Sequence, residues 1–452
     1  MMADAAFPQD FLWGVSTSSY QIEGAHDRDG KGPSIWDVFT HEPGRVAGGA
    51  TGDIACAHYD RWREDLALMK WLGLGAYRFS VSWSRILPAG FGVVNQKGLD
   101  FYRGILEECA RLGITPFLTL YHWDLPQGIA DRGGIASPHF PEWFANFARV
   151  VAEHLGDLSP FVATVNQPFS VMMSYLGTKR APAAGDAQMA FDAAENLLYA
   201  AGLAVQEYRS CRPDARLGIL LNRIHVQAAS SSEEDRRAAR MQDLLVNDLF
   251  ALPVLRGQYP EDLGDALDWF QLAPKRMADS SRLKVIASPL DFLGVNYYLR
   301  SLAQANPGAD GGLPYRTAGP LPHLEYTDDP HREVYPEGLY EQLSALHALA
   351  PGLPLYITEN GADIRDSSLK DERRIRYLHR HLEQVLRAIN SGIPLAGYLL
   401  WTLMDCFEWE SGYQNKYGLF AVDAQGARIA RASALWYKKL IASGGVLTAP
   451  LA

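Results

Sequence analysis

An apolar run at 355–358 ends in Glu359-Asn360-Gly361, and another at 161–165 ends in Asn166-Gln167-Pro168. A carboxylate at the end of a strand can attack an electrophilic carbon or stabilise positive charge developing on it. An amide in the facing position can hydrogen-bond a departing oxygen. It has no proton to give that oxygen and no basic atom with which to activate water. The two segments point to nucleophilic chemistry at Glu359 whose proton-transfer half is weakened at Gln167.

Such groups act only if a scaffold carries several strand ends to one place. Short runs rich in β-branched, aromatic and aliphatic residues lie at 12–16, 76–81, 116–121, 161–166, 217–222, 292–298, 355–359 and 397–403. Most are near-continuous rather than alternating, as expected of parallel strands covered by helices. Helical spacing appears between them. Trp62, Leu66, Met69 and Leu72 recur at three and four over 59–72, as do Tyr102, Ile105, Leu106 and Cys109 over 98–112. Ile375, Leu378, Leu382, Val385 and Ile389 repeat the pattern over 371–389, and Gly73 and Gly113 stand where helices stop. Strand-helix alternation on this scale predicts an α/β fold, a single (β/α)8 TIM barrel with its active site at the C-terminal ends of the strands. With 452 residues and 48% hydrophobic content, one such domain over 1–452 has ample core, and no Pro/Ser-rich linker divides it. The Gly-, Pro- and Asp-rich stretch 306–330 reads as a long loop at the same face.

Composition removes several classes of function. Net charge is −10 with Lys and Arg dispersed, so neither nucleic acid nor an anionic membrane surface is an expected partner. Cys56, Cys109, Cys211 and Cys406 are widely scattered, which reads as buried thiols rather than a disulfide framework. No stretch is apolar enough to span a bilayer, and the first ten residues lack the pattern of a secretory signal, so a cytoplasmic protein is expected. His122 is the one histidine at a predicted strand end, without HxH or HExxH spacing, so neither metal nor other cofactor is expected. Oligomeric state is not legible.

What stands at the strand ends is the informative pattern. Tyr20, Gln21 and Glu23 follow the first run, and Arg78 lies in the second. His122-Trp123-Asp124 ends the third, Asn166-Gln167 the fourth, and Asn296-Tyr297-Tyr298 the sixth. Glu359 ends the seventh, and Trp401 with Glu408-Trp409 follows the eighth. Planar amides and carboxylates suit vicinal hydroxyls, and indole faces suit the apolar faces of pyranose rings, so the composition is that of a neutral sugar site.

These segments carry a family likeness. Phe11-Leu12-Trp13-Gly14, Gln21-Ile22-Glu23-Gly24, Tyr77-Arg78-Phe79-Ser80 and Tyr121-His122-Trp123-Asp124-Leu125-Pro126 occur in order, followed by Asn296-Tyr297-Tyr298, Thr358-Glu359-Asn360-Gly361 and Phe407-Glu408-Trp409. From residue 11 to about residue 440 the chain resembles glycoside hydrolase family 1, the β-glucosidase family. The resemblance implies a barrel that hydrolyses β-glycosides with retention of configuration. It implies Glu359 as the nucleophile, with Arg78 and Tyr298 positioning it and keeping it ionised. Gln21, His122, Trp123, Asn166, Asn296, Glu408 and Trp409 would hold the sugar, with Trp401 as the platform beneath it.

The departure is Gln167, where the family places Glu. Three readings remain open: an engineered Glu→Gln replacement that traps bound sugar, a natural enzyme for activated aglycones (a thioglucosidase or transglycosylase), and a sugar-binding protein with little catalysis. The thioglucoside relatives that carry Gln lack the proline kept here as Pro168. Intact Glu408-Trp409 predicts an unphosphorylated glycone, gluco favoured, because an anionic Glu408 would repel phosphate. Phe169, Met172 and Met173 read either as an apolar wall for an aryl aglycone or as plain helix core.

Overall fold

The structure is a computed structural model and describes residues 6–273, 277, 279–308, 312–366 and 368–447. Strands β1 (Leu12–Ser16), β2 (Ala76–Ser80), β3 (Thr115–Tyr121), β4 (Phe161–Asn166), β5 (Arg216–Ala228), β6 (Phe292–Ala305), β7 (Leu355–Glu359) and β8 (Leu395–Trp401) follow one another round a sheet. Every neighbouring pair is parallel, and β8 closes the ring by pairing with β1, Leu12 opposite Gly397 through Ser16 opposite Trp401. The expected (β/α)8 barrel is present.

Helices His58–Leu72, Gln96–Leu112, Phe140–Leu155, Ala187–Cys211, Glu337–Leu349 and Glu372–Asn390 run between successive strands, and Ala432–Ala442 follows the last. They bury the predicted stripes: Trp62, Leu66, Met69 and Leu72 in the first, Tyr102, Ile105, Leu106 and Cys109 in the second. Gly73 and Gly113 end these helices at φ 82° and 71°, where a side chain would be strained. Strands covered by helices outside and packed side chains inside are buried along their length, which is why they lack alternation.

Inside the ring, Phe117, Phe161, Phe292 and Tyr356 form a second core apart from the strand-helix layer. Phe117 stacks on Phe161 at 4.1 Å and meets Tyr356 edge-on at 5.3 Å. This plug closes the barrel, so the rim above it is a floor on which polar side chains can be set.

Three expectations need correction. The apolar pattern stops β5 at residue 222 and β6 at 298, yet both continue to 228 and 305. Beyond the rim they remain paired through His225 opposite Arg300 and Ala228 opposite Ala303, where Ile224, Val226 and Ala228 alternate with Arg223, His225 and Gln227 instead of continuing the apolar run. The stretch 306–330 is not all loop either: Tyr315–Thr317 adds antiparallel to β6, while its tip, 309–311, lies outside the described residues. The eighth strand spans 395–401 rather than 397–403, because the chain leaves β1 after Trp401. Among the described residues no helix is long and apolar enough to cross a membrane.

Candidate active site

Glu359 ends β7 with its carboxylate almost fully buried, 3% of the residue being exposed. Oε1 accepts from Arg78 Nη1 at 2.5 Å, and Oε2 accepts from Tyr298 Oη at 2.8 Å and from Gln167 Nε2 at 3.1 Å. Three donors on one buried carboxylate hold its orientation. Burial first, then the nearby Glu359 charge, push the Tyr298 phenol far up, so it remains a donor.

Strand irregularities aim these groups. Register shifts between Ala163 and Asn166 where β4 meets β5, and again between Val295 and Asn296 where β6 meets β7. Such bulges re-aim side chains at barrel rims. Gln167 then takes φ 49°, and Pro168 starts helix Pro168–Leu176 at once. Gln167 is thereby set over the barrel, its N–H bonded to Leu220 O and its Oε1 accepting from Ser170 Oγ at 3.0 Å.

Arg78 lies below this pair. Its Nε donates to Thr119 Oγ1 at 3.0 Å, and its Nη2 stands 3.2 Å from His122 Nδ1. A guanidinium only donates, so His122 Nδ1 is the acceptor and Nε2 carries the hydrogen. Burial, and then Arg78, push His122 well below the usual histidine range and keep it neutral. The Asn166 amide stands 3.1 Å from His122 Nε2 and 2.9 Å from the Asn296 amide.

All of these converge on one cavity of about 220 Å³. Of the residues expected there, Gln21, His122, Trp123, Gln167, Asn296, Tyr298, Glu359, Trp401, Glu408 and Trp409 line it, while Arg78 and Asn166 support it from beneath. Trp409 stands 4.7 Å from both Trp123 and Trp36, and Trp401 lies 5.9 Å from His122 in a near-parallel stack. Asp124 turns away to accept from Ser19, and Glu23 is held by Arg85 and Tyr102. Of the apolar residues expected to flank an aglycone, Phe169 lines the cavity, whereas Met172 is fully buried in the helix core.

The sequence missed part of the wall. Arg332 and Asp329, from the segment before helix Glu337–Leu349, line the cavity, as do Tyr417 and the bidentate pair Arg180–Glu410 at 2.6 Å. Arg332 lies over the rings of Tyr298 and Tyr417 at 5.2 and 5.8 Å. These residues come from loops without periodicity, and only their approach in space reveals them. One expected cause also changes. Burial pushes the Glu408 carboxyl up to about 8, so at neutral pH it is largely protonated, and exclusion of phosphate by an anionic Glu408 is not supported. Elsewhere, His26, His41 and Asp53 bring ligand atoms within 4.8 Å of one another, but none of them lines the cavity.

A (β/α)8 barrel whose rim joins a fixed carboxylate, amides and stacked indoles around one cavity defines a carbohydrate-processing enzyme. The chain belongs to glycosyl hydrolase family 1, whose family model matches residues 3–446. It is 41% identical over 448 residues to a 1,4-beta-D-glucan glucohydrolase of Thermotoga neapolitana, covering 97% of this chain and 99% of that one. It is 39% identical to Beta-glucosidase A of Acetivibrio thermocellus, covering 98% and 100%. Among solved structures it superposes on the beta-glucosidase from Thermotoga maritima in complex with glucoimidazole with a TM-score of 0.92, at 40% identity and with coverage of 98% and 100%.

Proposed function

We propose that this glycoside hydrolase is a retaining β-glycosidase that removes the non-reducing β-D-glucosyl residue of unphosphorylated glycosides through a covalent glycosyl-Glu359 intermediate. The observation that carries the reading is the Glu359 carboxylate, fixed by Arg78 and Tyr298, with the Gln167 amide 3.1 Å away in the same cavity. Attack from Glu359 needs an ionised oxygen below the anomeric carbon, and Arg78 supplies the counter-charge. Gln21, His122, Trp123, Asn166, Asn296, Glu408 and Trp409 hold the sugar hydroxyls and faces, and Trp401 supports the ring. Phe169, Ile224 and Leu299 give the outer cavity an apolar wall that suits an aryl aglycone. The names of the relatives support a glucosyl substrate.

Gln167 occupies the acid/base position. We read it as a Glu→Gln replacement that slows turnover and retains bound sugar. A second reading, a natural enzyme for activated or sulfur-linked aglycones, is favoured by the fit of the amide: Ser170 donates to its oxygen while its nitrogen donates to Glu359, so no polar atom of the side chain is left unpaired. Residues 1–452 form one catalytic unit in this reading, and the unpaired cysteines suit a cytoplasmic location.

A 2-deoxy-2-fluoro-β-glucoside with a dinitrophenyl leaving group tests the nucleophile independently of Gln167, because that group departs without protonation. Mass spectrometry of the digested protein should find the fluoroglucosyl group on the peptide containing Glu359. Label on any other residue, or none in a protein that still binds glucosides, defeats the proposal.

A further inference from the structure

Cys406 is buried, 2% exposed, on the segment that carries the chain from β8 to Glu408. Its Sγ lies 3.2 Å from Glu408 Oε1 and 3.7 Å from Gln21 Nε2. The two contacts run in opposite senses. An amide nitrogen only donates, so sulfur accepts from Gln21. Burial, and then the Glu408 charge, push the Cys406 thiol far above its ordinary range, so it keeps its hydrogen and donates it to Glu408.

The neighbouring bonds make this sulfur a junction. Gln21 Nε2 also donates to Phe407 O at 2.7 Å, and Gln21 Oε1 accepts from Ser18 Oγ at 2.6 Å, so the amide has one orientation. Among the described residues the other side-chain donor to Glu408, Trp401 Nε1, is longer at 3.4 Å. We propose that Cys406 is a positioning residue for the sugar-binding end of the cavity: one thiol links Gln21 to Glu408 and fixes the direction of the Glu408 carboxyl. The proposal rests on the reading of Gln21 and Glu408 as sugar ligands.

A thiol is a weak donor, so it orients the carboxyl while stabilising its ionised form only modestly. The groups that act on Glu408 are Cys406 and Trp401 beside it, Arg332 from the segment before helix Glu337–Leu349, and Asp363 after β7. Tyr417 faces it as well, with Arg180 and Glu410 on the same cavity wall. Cys406, Arg332 and Trp401 favour the ionised form in that order, Asp363 opposes it, and burial outweighs them all.

The test is calorimetric titration with isopropyl 1-thio-β-D-glucoside, a neutral ligand with a poor leaving group, across the neutral and mildly alkaline range. With the chain as it stands, binding should tighten as pH rises through about 8, as Glu408 ionises. Cys406→Ala should weaken binding by about fivefold, the worth of one hydrogen bond, and move the midpoint up. Cys406→Ser, which restores a stronger donor, should recover the affinity and move the midpoint down. Midpoints and affinities equal across the three proteins would overturn the proposal, and the Ser variant keeps the comparison open if Cys406→Ala folds poorly. Glu408→Gln separates the underlying reading. If that substitution costs no affinity, Glu408 is not a sugar ligand and that reading fails; if it costs tenfold while the Cys406 variants match their parent, only the link through sulfur fails.

Discussion

At position 167 one atom separates two chemistries. The Gln167 amide donates to Glu359 at 3.1 Å. A carboxyl there would face the Glu359 carboxylate at a distance where both cannot ionise, so it would retain a proton, as an acid catalyst must. Gln167→Glu should therefore raise kcat/KM for alkyl and simple aryl β-glucosides by about 10²–10⁴-fold, while formation of the glycosyl-enzyme from dinitrophenyl β-glucoside changes little. Steady-state and burst kinetics of the two proteins on O- and S-linked glucosides check this. An unchanged rate on O-glucosides together with efficient cleavage of a thioglucoside would move the assignment to activated aglycones. Much of this site was legible in the sequence, since Glu359, Arg78, Tyr298, His122 and Trp401 sit on or beside strands whose ends must converge. Arg332 and Cys406 were not, because what each touches depends on the path of a loop. The protonation of Glu408 was also hidden, because it depends on burial, which residue type alone does not report.

The elements place these groups through close backbone passages. Gly361 follows Glu359 by two residues, and a Cβ there would lie 2.0 Å from Trp401 O at the end of β8. Any side chain must push β7 and β8 apart at the rim, where Glu359 and Trp401 are held. Gly361→Ala should lower kcat/KM by at least about tenfold, since misplacement of a reacting group by ~1 Å can cost ~10²-fold. The same substitution should lower the unfolding midpoint. Unaltered kinetics in a folded variant would show that the β7–β8 spacing does not set the site. The barrel strands themselves were readable because burial on both faces leaves continuous apolar runs. The extensions of β5 and β6 beyond the rim were not, because there Ile224, Val226 and Ala228 alternate with polar residues, a pattern that a continuous apolar run does not include, and Arg300 is held to Glu333 at 2.5 Å.

The whole molecule carries an uneven set of buried ionisable groups, and their signs predict how stability follows pH. Burial pushes Asp124 up to about 7 and Glu408 up to about 8, so the folded state holds these protons more tightly than the unfolded chain. Each contributes stability that is fully present below the ordinary carboxylate range and is lost as pH rises through the raised value. His122 lies well below the usual histidine range and His381 is pushed down to about 3, both by burial, so their contributions grow with pH up to the ordinary histidine value. Below that value the two sets oppose each other. Above it only the carboxyls still titrate, and stability should decline between about 7 and about 8. Asp65 does not enter this window, because His58 and Arg428 hold it below its ordinary range against the opposing effect of burial. Asp124→Asn isolates one contribution, since the amide can still accept from Ser19 but does not ionise. In urea titrations at stepped pH, the variant should gain on the parent from about pH 4 to about pH 7, by a few kcal/mol in total at 1.4 kcal/mol per pKa unit, with a constant difference beyond. A difference independent of pH would mean that Asp124 enters the folded protein already ionised, with a cationic partner compensating it.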